Sequence, residues 1–521
     1  MVGLTNSRRN RPDLFGNSEK VTDVIRSLFF KYWKYRENNG QRRLPFAGAS
    51  AYFRHLENIV IDLYAAWEGD PTRWVGYSRG RQNFLRSGSY WDFRKDEALL
   101  SKNLFLNLID FLSEQGYIEN HVAKRGYNPY SSRMRANPKL IELLKAEDVN
   151  WASIRTDTSI SAIVVKDENK KEVPPPEDGD FDLAQAQQNL QRINDNLQWS
   201  LINLNITDEM FEALRMRMST SVEDEGEPHD LESIREPLEF QNRSLKRIFA
   251  LGSFDYGGRF YGGWWQGVPS EYRKFIELEG LLITEMDFST IQPRILYAKA
   301  GANPPEDSYS VSDWDDGLRP EIKKAFNQLI NSSAGSRNEN QWHRFSPDMP
   351  PDPMPKNWNT MKKPQRAEIQ RKEFRRRTGR EYRELLHDLK AMHEPIDKFF
   401  FSQAWAWLQR IDSDIAEKVM LKMLDQQYTA LPIHDSFIVR AGAEKVLINA
   451  MNEAFDEVVG TENMAKVKRE PAVYDGKEEN RPRVVDAHDF IDEVRRDLSE
   501  SKGYQQREAE WRSVWGNWGY E

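Results

Sequence analysis

Apolar residues recur along this 521-residue chain at two spacings, and the places where the spacing changes mark its elements. Helical spacing predicts one helix over Ser18–Arg36 and another over Leu99–Gln115, where Leu104, Leu108, Phe111 and Leu112 share a face. Gly116 closes the second helix. A short strand, Tyr117–Val122, then enters a ribbon rich in Arg, Gly and Pro that ends at Ser132-Arg-Met-Arg135. A further stripe, Leu190, Ile193, Leu197, Leu201 and Leu204, predicts a helix ending near Thr207. Downstream, apolar runs short enough to be strands flank two aspartates. One lies in Glu285-Met-Asp-Phe-Ser-Thr-Ile-Gln-Pro-Arg294. Around the other, Thr429–Ile433 and Phe437–Val439 read as two strands with His434-Asp435 at the turn between them.

Polar segments divide these elements. Lys166–Asp182, with Pro174-Pro-Pro176, reads as a linker. Ser219–Glu232 is acidic and reads as mobile, and Ser346–Asn357 is a Pro-rich loop. The chain is therefore expected to be a multidomain α+β protein. Residues 1–60 form a basic, aromatic helical segment, 61–147 a small module, and 148–236 a linker with a helical region. Residues 237–460 form the long α/β module, and 461–521 a charged, thinly apolar extension.

Two carboxylates carried on separate strands are what a two-magnesium site needs for in-line attack on a nucleoside triphosphate. Between them lies Arg319-Pro-Glu-Ile-Lys323, followed by a helical run to Asn331. Arg319 and Lys323, four apart, share a helix face and can both reach one triphosphate. Lys324 competes for that role at a spacing of five. A net charge of −8 gives no general attraction for nucleic acid, but residues 362–383 hold ten Lys/Arg against three Glu. The absence of cysteine excludes disulfides and thiolate zinc sites and fits a reducing cytoplasm. No run of eighteen apolar residues and no signal-peptide pattern is present, so no membrane association is expected.

Two more motifs complete a set. Asp255-Tyr-Gly-Gly258-Arg259 lies upstream of the first aspartate, and Leu408-Gln-Arg-Ile-Asp-Ser-Asp-Ile-Ala-Glu-Lys-Val-Met420 lies just ahead of the second. In this order, the five motifs resemble the palm and fingers shared by family A DNA polymerases and the single-subunit phage and mitochondrial RNA polymerases. The resemblance implies a right-hand palm, fingers and thumb core, in which the leucine-striped helix is either thumb-like or simply a core helix. Asp287 and Asp435 would be catalytic and hold two Mg2+ ions, which Mn2+ can replace, with the Phe288 carbonyl completing the shell. Arg319 and Lys323 would neutralise the triphosphate, and Gln292 and Asn331 would flank the sugar and base. Arg259 and Gln409 would read minor-groove acceptors common to all base pairs, and His434 would touch the primer end. The helix, glycine, strand and basic hairpin of residues 61–147 resemble a winged helix, with Arg133 and Arg135 as DNA contacts.

The motifs also depart from the family pattern. His434-Asp435-Ser436-Phe437 and Asp255 lean towards the RNA polymerases. The compact Asp287–Gln292 spacing is like that of the DNA polymerases, with Gln292 where those enzymes place a glutamate against the ribose 2′-hydroxyl. Asn331 replaces the expected tyrosine, and Asn327 the usual aromatic. Residues 1–240 show no exonuclease pattern, so recruitment to a particular DNA end, origin or mobile element is expected rather than bulk replication. The favoured reading is a DNA-directed DNA polymerase acting on a DNA template and primer (RNA is possible) with nucleoside triphosphates. A single-subunit RNA polymerase or primase is the alternative. A non-catalytic, DNA-binding replication initiator or regulator is a third reading, which the retained aspartates and basic pair argue against.

Overall fold

The computed structural model describes residues 6–40, 46–84, 91–92, 97–123, 132–158, 162–177, 179–219, 238–469 and 501–516. Two hydrophobic cores organise them. The first is built by β1 (Ser7–Arg9), β2 (Leu14–Gly16), α1 (Glu19–Asn38), α2 (Phe46–Gly69), β3 (Trp74–Tyr77), a β4–β5 ladder (Trp91–Asp92 and Glu97–Ala98), α3 (Lys102–Glu114), β6 (Ile118–His121), β7 (Ser132–Ala136), α4 (Pro138–Ala146) and β8 (Ile154–Thr156). Its four-stranded sheet runs β1-β3-β7-β6, with β1 parallel to β3 and the other pairs antiparallel. The Ser18 hydroxyl caps α1 by accepting from the Val21 N–H, and the helix buries Val21, Val24, Ile25 and Leu28. Helix α3 buries Phe105, Leu108, Ile109, Phe111 and Leu112 and ends before Gly116, whose φ of 71° reverses the chain into β6.

The boundary expected at residue 60 falls inside α2. Leu56 and Val60 share a core with Val21 of α1, Leu108 of α3 and Leu140 of α4, so residues 1–60 are not a separate segment from 61–147. The tip of the β6–β7 hairpin, residues 124–131, lies outside the described residues, as does the acidic stretch 220–237.

The second core is larger. Its elements are β9 (Ile163–Lys166), β10 (Glu172–Val173), α5 (Leu183–Trp199), β11 (Ile202–Leu204), α6 (Asp208–Ser219), β12 (Lys246–Phe249), β13 (Gly257–Tyr261), α7 (Ser270–Arg273), β14 (Ile276–Leu278), β15 (Leu281–Phe288), α8 (Ile291–Ala300), α9 (Arg319–Asn331), α10 (Lys363–Thr378), α11 (Tyr382–Met392), α12 (Trp405–Asp425), β16 (Leu431–Ile433), β17 (Ser436–Arg440), α13 (Glu444–Val459), β18 (Val467–Arg469) and α14 (Lys502–Trp515). The central sheet runs β11-β14-β15-β17-β16, and β18 adds to β15. A smaller sheet runs β10-β9-β12-β13. Helix α12 packs against β13, α13 and α5. The whole is a mixed α/β protein with two cores. No helix among the described residues is long and apolar enough to cross a membrane.

Two expectations are corrected here. The leucine stripe does not continue as one helix: α5 ends at Trp199, and Leu201 and Leu204 belong to the segment that forms β11 against β14. Helix α5 packs into the core, one of the two readings its stripe leaves open. The Asn194 amide exchanges hydrogen bonds with the Leu245 backbone, at 2.9 Å through Nδ2 and 2.7 Å through Oδ1. Nor is the supposed linker free of structure, since β10 pairs with β9 across a turn at Asp167–Lys171.

The C-terminal extension is integral as well. β18 joins the central sheet, and α14 buries Trp511 and Trp515 in the larger core. Arg507 donates to the Asn203 side chain at 2.9 Å and the Leu204 carbonyl at 2.8 Å, covering the edge strand β11. Glu277 is 2 % exposed and accepts from the Tyr504 hydroxyl at 2.5 Å and from Asn205 at 2.7 Å. A buried carboxylate that loses a donor keeps its desolvation penalty. Tyr504→Phe should therefore lower unfolding stability by about 1.5–3 kcal/mol in urea denaturation, with a smaller effect for Gln506→Ala on the exposed face of the same helix.

Candidate active site

The pairing of β15 with β17 builds the site. They run antiparallel with Asp287 opposite Ser436, and β16 returns against β17 with Ile433 opposite Ser436. Only His434 and Asp435 remain to make the turn, as the sequence pattern implies. His434 adopts a φ of 56°, a left-handed conformation that costs a side-chain-bearing residue roughly 1–2 kcal/mol. Thr290, three residues after Asp287, does the same at 55°. Strained backbone thus flanks both aspartates, which is where folds hold functional side chains. The Phe288 N–H donates to the Asp435 carbonyl at 3.3 Å, fixing the two aspartate-bearing segments side by side.

Around this pair the strands add further polar groups. Ser436 follows Asp435, and its hydroxyl donates to Glu285 at 2.7 Å. Glu285 lies two residues before Asp287 on the same strand face and also binds Arg273 at 2.7 Å. Among the described residues, no group of three or more His, Asp or Glu side chains is arranged to hold a metal ion. Two carboxylates and a carbonyl still fit Mg2+, which keeps several waters and takes its remaining ligands from substrate phosphates.

Arg259, Phe260, Asp412, Ser413, Ala416, Pro432 and His434 line one pocket beside the turn. Gly258 must be glycine: its φ is 85°, and a Cβ there would lie 2.7 Å from the Ser413 hydroxyl. That close contact seats β13 on α12 and presents Arg259. Its guanidinium donates through Nε and Nη2 to one oxygen of Asp412, at 3.0 and 2.7 Å. Burial works to lower the Arg259 pKa, but Asp412, Tyr261 and Asp435 outweigh it and hold the pKa above its ordinary value. Burial raises the Asp412 pKa, with Arg259 opposing. Gln409 lies one helical turn before Asp412 on α12.

Arg319 opens α9, where it binds Asp307 at 2.9 and 3.2 Å and lies 5.2 Å from the Tyr309 ring centre. Tyr309 is 5 % exposed. Burial raises its pKa, Arg319 opposes, and Asp435, Asp307 and Asp287 add to the rise, so its phenol lies in the field of both motif aspartates. No motif pointed to this tyrosine; the only sequence signal is an aromatic residue close after an acidic one in the stretch between α8 and α9. Its loop is pinned from below. His393 is fully buried, its Nε2 donating to the Ser308 carbonyl at 2.9 Å and its Nδ1 accepting from the Tyr297 hydroxyl at 3.0 Å.

The other expected residues divide. Lys323 is exposed on α9, while Lys324 is turned towards Asp348 at 3.7 Å. Gln292 and Asn331 are not joined by a hydrogen bond, and the Asn331 Oδ1 is buried without a partner. Arg133 and Arg135 lie on the N-terminal sheet, not at this site. Arg133, between β3 and β6, is 2 % exposed, which removes it as a DNA contact. Arg135 remains half-buried, bound to Glu119 at 2.5 Å. Much of the basic run is paired internally: Arg376 and Arg377 share Glu373 at 2.6 Å, and Arg383 binds Glu339 at 2.6 Å.

No family model matches this chain, and no curated protein does. Among solved structures, it is similar to the POL domain of Pol1 from M. smegmatis, determined in complex with DNA primer-template and dNTP. The identity is 12 %, the match covers 50 % of this chain and 51 % of that one, and the TM-score is 0.26. The chain thus spans about half the length of that structure, and a likeness this distant carries no argument.

The pinned loop gives a pH dependence. Burial lowers the His393 pKa from 6.5 to about 4, against the Ser308 carbonyl, so the folded protein holds a neutral imidazole. Between those values the unfolded chain binds a proton that the folded chain does not. The contribution is complete above 6.5 and lost as pH falls through about 4, amounting to roughly 3 kcal/mol. His393→Gln should accordingly lose less stability than the wild type between about pH 7 and about pH 4.5 in urea unfolding. Equal losses would remove His393 as the source.

Proposed function

We propose that this chain is a template-directed nucleotidyltransferase, a DNA polymerase by preference, whose β15–β17 sheet is the palm and whose α9 is the fingers helix. The observation that supports the reading is the strand pairing that brings the segments carrying Asp287 and Asp435 together, with the Phe288 N–H donating to the Asp435 carbonyl. Mg2+ held by these carboxylates and the Phe288 carbonyl would supply Lewis-acid activation of a primer 3′-hydroxyl and charge neutralisation at the leaving pyrophosphate. In the reaction, the 3′-oxygen attacks the α-phosphorus, the α–β bridging bond breaks, and the hydroxyl proton passes to solvent. Arg319 and the exposed Lys323 supply positive charge where the triphosphate would lie. Tyr309, stacked beneath Arg319, forms a buried wall next to the aspartates. Arg259 and His434 bound the pocket that would receive the primer end.

The N-terminal unit, with its β6–β7 hairpin, would bind duplex DNA, with Arg135 and not Arg133 as its contact. The unit to express is the whole first core and not residues 61–147, because α1 and α2 complete that core.

A single-subunit RNA polymerase or primase is the second reading, and one observation favours it. The buried Asn331 Oδ1 is an unclaimed acceptor at the end of α9, and a ribose 2′-hydroxyl can donate to such an oxygen. In the DNA polymerase reading, the Gln292 side chain fills that space instead.

Extension of a labelled primer–template with Mg2+, dNTPs and rNTPs in parallel tests the reading, with a lane lacking primer. Asp287→Ala and Asp435→Ala should each remove nearly all activity while duplex binding survives, since losing one shared ligand disables both metal positions. Near-normal extension by either variant would refute the site. A wild type that prefers dATP to ATP by kcat/KM, with the preference relaxed about 10–1,000-fold in Gln292→Ala, supports DNA synthesis. A wild-type preference for ATP assigns the chain to RNA synthesis.

A further inference from the structure

None of the five motifs accounts for the cation beside Asp287. β18 adds antiparallel to β15 with Lys468 opposite Asp287, and Ser436 faces Asp287 from the other side. Cross-strand partners project from the same face of a sheet, so Lys468, Asp287 and Ser436 form a row across three strands. The ammonium of Lys468 stands 3.2 Å from an oxygen of Asp287. The strand carrying it is anchored: Lys466 accepts from the Ser289 N–H at 2.7 Å, and Met464 from Arg294 at 2.7 Å. The side chain has more freedom. Lys468 is 49 % exposed against 17 % for Asp287, and an ion pair with one partner half in water is weak and readily opened.

We propose that Lys468 is a built-in competitor for the metal position at Asp287. Its ammonium neutralises the carboxylate in the metal-free protein and swings to solvent when a divalent ion binds. The inference rests on the two-aspartate metal reading above. A lysine offers one positive charge on a flexible stem, so it can shield the site without closing it. A divalent ion that takes two carboxylates and a carbonyl displaces it, but must break the Lys468–Asp287 pair to do so. The free protein would then load metal poorly, and a triphosphate would favour loading by adding ligands and giving the freed ammonium another anion.

Mn2+ binding, read directly by electron paramagnetic resonance of the free ion, tests this without relying on catalysis. The samples are wild type, Lys468→Met, Lys468→Arg, and each in combination with Asp287→Ala. Lys468→Met should bind Mn2+ about three- to tenfold more tightly than wild type at low ionic strength. Lys468→Arg should stay near wild type, and both single variants should lose that binding with Asp287→Ala. Affinity unchanged or weakened in Lys468→Met, where Asp287-dependent binding is present, overturns the competitor. Absence of Asp287-dependent Mn2+ binding in both wild type and Lys468→Met overturns the metal site itself, and the competitor with it.

Discussion

The register of β15 on β17 is the constraint on which the site depends. With Asp287 opposite Ser436, the next residue towards the turn is Asp435, whose carbonyl accepts from the Phe288 N–H at 3.3 Å, so the two aspartate-bearing segments lie side by side. A one-residue slip would turn every side chain of one strand to the opposite face. Met286 and Phe288 would leave the core, and Glu285 and Asp287 would enter it. The cost of exposing two large apolar side chains and burying two carboxylates makes this register far more stable than its neighbours. The same alternation that packs Met286 and Phe288 below the sheet therefore holds the acidic groups above it.

Other elements keep that sheet edge from moving. β18 pairs with the end of β15 beyond β14, and α14 covers the edge strand β11. Arg8 ties the first core to the second, donating to Asp62 and to Glu239, both buried. A buried ion pair of this kind adds little net stability compared with apolar packing, but losing one partner leaves an uncompensated charge. The junction between the cores is thus specified by charge, whereas each core is held by apolar burial.

What could be read from the sequence follows from the range of the interactions. The hairpin at His434-Asp435 was legible because two apolar runs separated by three polar residues leave one short connection. Helices α1 and α3 were legible through Ser18 and Gly116, local signals at their ends. The helix predicted across Leu201 and Leu204 was wrong because their spacing fits a helix stripe equally well, and only the pairing of β11 with β14 decides between them. Tyr309 and Lys468 reach the motif aspartates from a loop and a strand outside every motif, and no local pattern encodes such contacts. In Ser132-Arg-Met-Arg135, alternation places Arg133 and Arg135 on one face of β7. It does not say that the neighbouring strands bury the first and leave the second half-exposed.

The buried pair of Arg259 and Asp412 bears on how a primer end could be recognised. Asp412 is 3 % exposed, so withdrawing Arg259 would leave a carboxylate uncompensated at a cost of about 3–5 kcal/mol. A minor-groove contact is worth less than that, because a hydrogen bond to a charged donor contributes about 1.5–3 kcal/mol. Under the polymerase reading, Arg259 would therefore keep Asp412 on meeting nucleic acid. Its Nε–H and one Nη2–H are committed to that carboxylate, which leaves three N–H groups on a residue that lines the pocket with His434. In that reading, a donor held at a fixed angle by a buried acceptor would test whether an acceptor stands at the position shared by all correct base pairs. Under the proposed polymerase reading, Asp412 then serves as a positioning residue, turning a flexible arginine into a rigid gauge of pair geometry.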